Sequence, residues 1–144
     1  MAIVIREVQV ADYQMLAQII SEDLGYQITQ EFLAERLETV SQLSDNHLFV
    51  AADENNVVGF IQFEEYQTVY FAPLLNILGL AVAKEAQGQG VGRQLVSFAE
   101  EWGQAAGFAG VRLNSGAERV EAHRFYQKIG YTLRKQQANF SKMF

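Results

Sequence analysis

A glycine-rich segment, Gln87-Gly88-Gln89-Gly90-Val91-Gly92-Arg93, gives the clearest chemical signal in the sequence. Glycine lets the backbone approach a ligand without a Cβ in the way, and the first N–H groups of a helix have no intrahelical acceptor. Because the segment lies where an apolar run ends and a helical pattern begins, it predicts a site at which backbone N–H groups bind a phosphate. A tight strand-to-helix turn without a ligand is the alternative interpretation of the same glycines.

Two common phosphate-binding loops do not fit this segment. A P-loop requires Lys-Ser or Lys-Thr after its last glycine, and Arg93-Gln94 stands there instead. The dinucleotide fingerprint G-x-G-x-x-G fails because Arg93 occupies the place of its third glycine. The pattern that fits is Q-x-x-G-x-G, formed by Gln87, Gly90 and Gly92. The sequence therefore disfavours a nucleoside triphosphatase and a dinucleotide-dependent enzyme.

Composition excludes several other classes of protein. The 144 residues, 49% of them hydrophobic, suffice for one well-packed domain spanning 1–144 and are too few for two ordinary domains. Zero cysteines exclude disulfides, thiolate metal sites and a cysteine nucleophile. The net charge of −6 disfavours nucleic-acid binding and favours cationic partners such as amines. Without a long apolar run or a signal-peptide pattern, we expect a cytoplasmic protein that does not associate with a membrane.

The elements that position the glycine segment are predicted from hydrophobic periodicity and chain breakers. Helices are predicted from Asp12 to Gly25, after the N-cap Thr29, from Val91 to about Gly107, and around 122–129 before Gly130. Strands are predicted over 2–8, 48–52, from 57 toward 71, over 74–82 and 110–113, with one or two more within 131–144. Pro73 marks the break before the fourth strand, and residues 53–56 predict a hairpin turn. The order predicts a mixed α/β fold with helices on the faces of one sheet.

Two spaced motifs resemble those of the GNAT N-acetyltransferase superfamily. The segment Leu80–Gly92 looks like the acetyl-coenzyme A motif of that family, and Ala122–Tyr131 resembles its A-x-x-F-Y-x-x-x-G-[FY] block. The element order matches the family along essentially the whole chain. The resemblance implies a single GNAT-like domain with a mixed, mostly antiparallel sheet of six to seven strands and about four helices. It also implies an acyltransferase that moves an acetyl group directly from acetyl-coenzyme A to a primary amine.

The resemblance assigns most of the site residues to the donor, acetyl-coenzyme A. It implies that the pyrophosphate binds N–H groups from Gly88 to Arg93, and that the pantetheine arm pairs with the main chain of Leu80 and Val82. The implied cofactor-binding residues are Leu80, Ala81, Val82, Gln87, Gly88, Gln89, Gly90, Val91, Gly92, Arg93, Asn114 and Arg119. No metal is expected, because His47 and His123 show no metal-ligand spacing with each other or with carboxylates.

Tyr126 is the predicted catalytic acid, because a phenol can hydrogen-bond a departing thiolate and donate its proton to it. A core aromatic packed beside Phe125 is the alternative interpretation. The sequence does not identify the base, since many family members have a glutamate where this chain has Gly79. The open alternatives are a water chain and four carboxylates: Glu22, Asp23, Glu64 and Glu65.

The expected acceptor is a small-molecule amine. The acidic charge supports it, and the block that contains His123 resembles family branches that act on aminoglycosides and aminoalkyl compounds. The alternatives are a protein or peptide N-acetyltransferase, a nucleotide-binding module, and a noncatalytic acyl-coenzyme A sensor, which Gly79 favours. Homodimerisation through an exposed sheet edge is a further hypothesis.

Overall fold

Residues 2–54 and 56–144 are described by a computed structural model, in which the chain forms two units, Met1–Leu113 and Asn114–Phe144. Met1 and Asn55 lie outside the described residues, and Asn55 is part of the predicted turn over 53–56. The first unit contains the sheet and three α-helices, and the second contains one α-helix.

A five-stranded sheet forms the first unit's centre, with its strands in sequence order: β1 (Val4–Glu7), β2 (Asn46–Ala52), β3 (Val57–Thr68), β4 (Phe71–Val82) and β5 (Val111–Leu113). The pairs from β1 to β4 are antiparallel, and β5 runs parallel to β4. The helices are α1 (Tyr13–Leu24), α2 (Gln30–Ser41) and α3 (Val91–Ala106). The predicted mixed, mostly antiparallel sheet is confirmed, and so is the hairpin between β2 and β3.

The ends of these helices follow from local chemistry. Thr29 caps α2, since its Oγ1 accepts the Phe32 N–H at 3.1 Å. Gly25 and Gly107 end α1 and α3 with φ values of 78° and 88°, a region that glycine enters without strain. Asp12 occupies the N-cap position of α1, but its side chain does not cap that helix. Its carboxylate instead accepts the Gln9 N–H at 2.7 Å and pairs with Arg6 at 2.8 Å.

The two faces of the sheet are covered by different helices. Helix α3 covers one face, where Phe98 packs against Phe49 with ring centroids 4.6 Å apart, and Trp102 packs against Phe63 at 5.4 Å. Helices α1 and α2 cover the other face, on which Leu48 and Phe60 lie. Buried apolar side chains fill both layers, including Leu16, Ile61, Phe63, Leu75 and Leu95. This packing fixes the start of α3 against the sheet.

A glycine in β3 permits the close approach of α3. A Cβ built on Gly59 would lie 2.9 Å from Leu95 Cδ1 and 3.0 Å from Val91 Cγ1, both of which belong to α3. Because real Cβ contacts are longer than this, a side chain at Gly59 would displace the buried Val91 and Leu95 side chains or the first turns of α3. Gly59 therefore helps to place the glycine segment that precedes α3.

The strand predictions need three corrections. The sheet has five strands among the described residues, not six to seven. Residues 131–144 form no strand, and 132–144 are exposed; the polar run Arg134-Lys135-Gln136-Gln137 gives this segment no continuous apolar face to bury. Pro73 lies within β4 rather than before it. It lies where the register between β3 and β4 shifts, opposite the segment from Tyr66 to Thr68. The N–H that proline lacks is therefore not missed by a hydrogen bond between the two strands.

The second unit is built around α4 (Val120–Lys128). Beyond the helix, Gly130 adopts φ 101°, and the Tyr131 N–H donates to the Tyr126 carbonyl at 2.9 Å. Before the helix, the His123 ring nitrogen Nε2 lies 2.8 Å from the Gly116 carbonyl oxygen. The predicted final helix, stopped near Gly130, is confirmed. Throughout the described part of the chain, helices are too short or too polar to cross a membrane.

Candidate functional site

The glycine segment forms an exposed loop directly before α3. Gly88 and Gly90 adopt φ values of 78° and 85°, which only glycine enters freely, and residues 87–90 are exposed. Among the described residues, no backbone or side-chain oxygen accepts a hydrogen bond from the N–H groups of 88–93. Successive unpaired N–H groups at the start of a 16-residue helix favour an anion, and the exposed cation Arg93 lies beside them. The loop thus has the chemistry that a pyrophosphate requires.

Strand β4 leaves part of one edge unpaired by any strand of the first unit. β5 pairs only with Leu75, Asn76 and Ile77. Further along, the Ala83 N–H donates to the Val58 carbonyl on the β3 side at 2.8 Å. Because alternate residues of a strand direct their N–H groups to opposite edges, Val82 and Leu80 direct theirs away from β3. An extended ligand can therefore pair with β4 at Leu80, and at Val82 it must replace the side-chain partners of the main chain.

A β-bulge at Leu78 sets this arrangement. Gln62 lies opposite Gly79, and Phe63 lies opposite Ile77, so Leu78 has no partner on β3. Because of this extra residue, the alternation of main-chain N–H and C=O groups between the two edges of β4 is reversed beyond Leu78. In the sequence, Gly79 is notable only as the position where many family members have a glutamate. The usable signal was a glycine inside an apolar strand, which is typical of a bulge.

Asp23, near the end of α1, is hydrogen-bonded both to the edge of β4 and to the glycine loop. Its Oδ2 accepts the Val82 N–H at 3.0 Å, and its Oδ1 accepts the Gln87 side-chain amide at 3.1 Å. The same amide nitrogen also donates to the Val82 carbonyl at 3.2 Å. The Asp23 carboxylate therefore lies on the free edge of β4, next to the glycine loop.

The other three candidate bases have partners elsewhere. Glu64 accepts the Asn76 side-chain amide at 2.7 Å, and that amide's oxygen accepts from Arg112 at 2.7 Å. Glu65 lies 2.9 Å from the His47 ring nitrogen, which places it on the opposite face of β3 from Glu64. Glu22 is exposed on α1 and accepts from Gln18 at 3.2 Å. Asp23 is thus the one of the four that the structure brings to the β4 edge.

A cavity of about 230 Å³ lies between α1, α2 and the sheet. Most of its lining is aliphatic or aromatic, and includes Ile20, Leu24, Phe32, Leu37, Leu48 and Phe60. The polar side chains of its lining are those of Tyr26, Arg36 and Gln62. Leu78 and Gly79 also line it, so the cavity reaches the residue before Leu80.

Three of the predicted site residues lie in the second unit. Asn114 is its first residue, and Arg119 precedes α4 with its N–H donating to the Gly116 carbonyl at 3.0 Å. Tyr126 lies on α4, half-buried between two rings, with centroids 5.0 Å from Phe125 and 5.8 Å from Tyr131. Their roles toward the donor stay predictions.

Comparison with known proteins identifies the family. The sequence model of the Acetyltransferase (GNAT) family matches residues 13–131, which include the glycine loop, β4 and α4. The chain belongs to the GNAT acetyltransferase family. Members of this family are acyltransferases, so the predicted enzyme class is confirmed.

Named relatives of this GNAT chain are also acetyltransferases. It is 31% identical over 121 residues to the aminoalkylphosphonate N-acetyltransferase of Salmonella typhimurium, covering 83% of this chain and 75% of the relative. It is 28% identical over 115 residues to the uncharacterized N-acetyltransferase YhdJ of Bacillus subtilis, covering 79% and 81%. The structure of the aminoglycoside N-acetyltransferase AAC(6')-Iy with the bisubstrate analogue CoA-S-monomethyl-acetylneamine matches over 100% of both chains, with a TM-score of 0.84 and 17% identity. The last match supports the fold.

Proposed function

We propose that this chain transfers an acetyl group from acetyl-coenzyme A to the primary amine of a small molecule. The observation that supports it most directly is the junction of the N–H loop at 88–93 with the edge of β4 that no strand of the first unit pairs. Relatives that act on an aminoalkylphosphonate and on an aminoglycoside support a small acceptor. The cavity beside the β4 edge is a space for such an acceptor.

The chain's own groups account for donor binding in this proposal. The N–H groups of 88–93 and the Arg93 guanidinium bind the pyrophosphate, helped by the positive end of the α3 dipole, typically about 0.3–1 kcal/mol. The main chain of Leu80 and Val82 pairs with the pantetheine arm. Asn114 and Arg119 are proposed as further donor contacts. The donor supplies an activated acetyl thioester at the β4 edge.

Asp23 is the proposed proton acceptor. Its carboxylate bonds the Val82 N–H, which the proposal gives to the pantetheine arm. Donor binding therefore releases the carboxylate from that N–H while α1 keeps it at the β4 edge. There it accepts a proton from the amine as the new C–N bond forms. When the C–S bond breaks, Tyr126 donates a proton to the thiolate.

Thiol-release kinetics with acetyl-coenzyme A and a broad amine panel test this function. We expect release that depends on the amine and is matched by formation of the acetylated amine. Coenzyme A binding without release toward any amine or peptide would instead identify a noncatalytic sensor. Release with peptides alone would identify a peptide acetyltransferase. Thermal stabilisation by ATP or NAD, and none by coenzyme A, would identify a nucleotide-binding module.

A further inference from the structure

We infer that the acceptor is an amine with an apolar body and one anionic group, held in the cavity between α1, α2 and the sheet with its anionic group at Arg36. The inference rests on the proposed function and names its substrate class. The net charge favours cationic partners such as amines, and the inference adds an anionic group to such an amine.

The lining of the cavity does not suit a polycation. Arg36 is the one charged residue among the 14 residues that line it, and none of them is Asp or Glu. Moving an ammonium group out of water is costly unless a carboxylate or several oxygen acceptors replace the water. Polyamines and aminoglycosides carry several such groups. The aliphatic and aromatic lining instead favours burial of an apolar body.

Arg36 is available to an anion at the cavity wall. It lies on α2 with its side chain exposed, and no hydrogen bond or ion pair joins it to another part of the chain that the structure describes. Its helical neighbours at three and four residues are Leu33, Phe32, Thr39 and Val40, so no carboxylate stands at an ion-pairing position on α2. A guanidinium binds a carboxylate or a phosphonate through two parallel hydrogen bonds.

The cavity also connects Arg36 to the reacting edge. Leu78 and Gly79 form its wall on β4, directly before Leu80, and Asp23 accepts the N–H of Val82 two residues further along the same strand. Its volume of about 230 Å³ lies below the roughly 300–1,000 Å³ of sites for drug-sized ligands. A molecule of amino-acid size suits this space better than an aminoglycoside does.

Matched acceptors test the inference. Phenylethylamine and phenylalanine share one apolar body, and phenylalanine adds a carboxylate; the corresponding aminophosphonate replaces the carboxylate by a phosphonate. Spermidine and an aminoglycoside represent the polycations. Thiol release by the full chain should give a kcat/KM at least tenfold higher for an anionic acceptor than for phenylethylamine or the polycations. The carboxylate and phosphonate arms show which anion is preferred.

The Arg36→Gln variant separates binding of the anion from general damage. We expect kcat/KM to fall 10- to 100-fold for the anionic acceptors and to change less than threefold for phenylethylamine. Arg134→Gln, which removes an exposed cation of the second unit, should change neither value. The inference is overturned if Arg36→Gln lowers kcat/KM equally for the anionic acceptors and for phenylethylamine. It is also overturned if the chain prefers polycations and Arg36→Gln leaves that preference unchanged. Either result is compatible with the proposed function. If none of the amines supports thiol release, both the inference and the proposed function are overturned.

Discussion

At the residue scale, the Asp23 carboxylate has the most informative position. It lies 3.0 Å from the Val82 nitrogen, on the edge that the donor is proposed to occupy, whereas Glu22, Glu64 and Glu65 have other partners. A carboxylate that a ligand must displace is left close to the reacting atoms when the ligand binds. This makes Asp23 the residue whose substitution is most informative about proton transfer.

We expect Asp23→Asn to lower kcat about 10²- to 10⁴-fold, the usual contribution of a general base. The asparagine oxygen can still accept the Val82 N–H, and the variant loses only the exposed bond from the Gln87 side chain, so the fold should be kept. Glu22→Gln is the matched control, because Glu22 is the preceding residue on α1 and has only an exposed contact with Gln18. Thiol release at saturating donor and acceptor measures the effect. A similar loss in both variants would remove the role proposed for Asp23.

Tyr126 is tested by removing its hydroxyl group alone. We expect Tyr126→Phe to lower kcat about tenfold or more, because the thiolate then leaves without its proton donor. Tyr131→Phe is the control, since its ring packs 5.8 Å from that of Tyr126 in the same aromatic cluster. Circular dichroism checks that both variants are folded. Unchanged turnover in a folded Tyr126→Phe variant would restore the interpretation of Tyr126 as a packing residue.

At the element scale, the two ends of α3 allow conformational strain to be separated from ligand binding. Gly90 and Gly107 flank the helix with φ values of 85° and 88°, and a Cβ at either would meet no atom within 4 Å. Replacing either by Ala should lower the free energy of unfolding by about 1–2 kcal/mol, the cost of a left-handed conformation. Only Gly90→Ala should also weaken coenzyme A binding, because only Gly90 lies in the N–H loop. Chemical denaturation and calorimetric titration measure the two quantities, and equal binding losses would argue against the loop as the pyrophosphate site.

The contact between β1 and the start of α1 predicts a dependence of stability on pH. Burial raises the pKa of Asp12, but hydrogen bonds from Arg6 and the Gln9 N–H outweigh burial and hold the pKa below its usual value. The folded pKa is therefore lower than the unfolded one, about 4. The stabilisation is complete above the unfolded pKa and is lost as the pH falls through the folded pKa.

Asp12→Asn removes this titration. We expect the variant to lose about 1.5–3 kcal/mol of unfolding free energy at pH 7, the range for hydrogen bonds to charged groups. The difference in unfolding free energy between wild type and variant should become smaller below about pH 4, where the Asp12 carboxylate of the wild type also loses its charge. Urea denaturation across pH measures it. A gap that stays constant down to pH 2 would contradict the assignment to Asp12.

At the scale of the whole molecule, local sequence patterns predicted most helices and strands. They could not predict contacts between residues that are distant in the sequence. Gly25 and Gly107 mark helix ends through their backbone freedom, and Thr29 does so through its side-chain oxygen; the structure confirms each. The bond from Val82 to Asp23 joins residues 59 positions apart, so no local pattern contains it. Residues 131–144 were predicted as strands, although a strand requires a neighbouring edge that a local pattern does not specify.

Net charge does not determine which class of amine the chain accepts. The value of −6 is a sum over the whole chain, whereas an acceptor meets only the side chains that line its cavity. Arg36 makes that lining cationic. The identity of a substrate is therefore better argued from the cavity than from composition.

Acetyl transfer to a small amine is tested most directly by amine-dependent thiol release from acetyl-coenzyme A by the full chain, with the acetylated amine identified by mass spectrometry. We expect saturable release with a small amine, and a large loss of rate in Asp23→Asn. Coenzyme A that binds at the glycine loop without any amine-dependent release would contradict it.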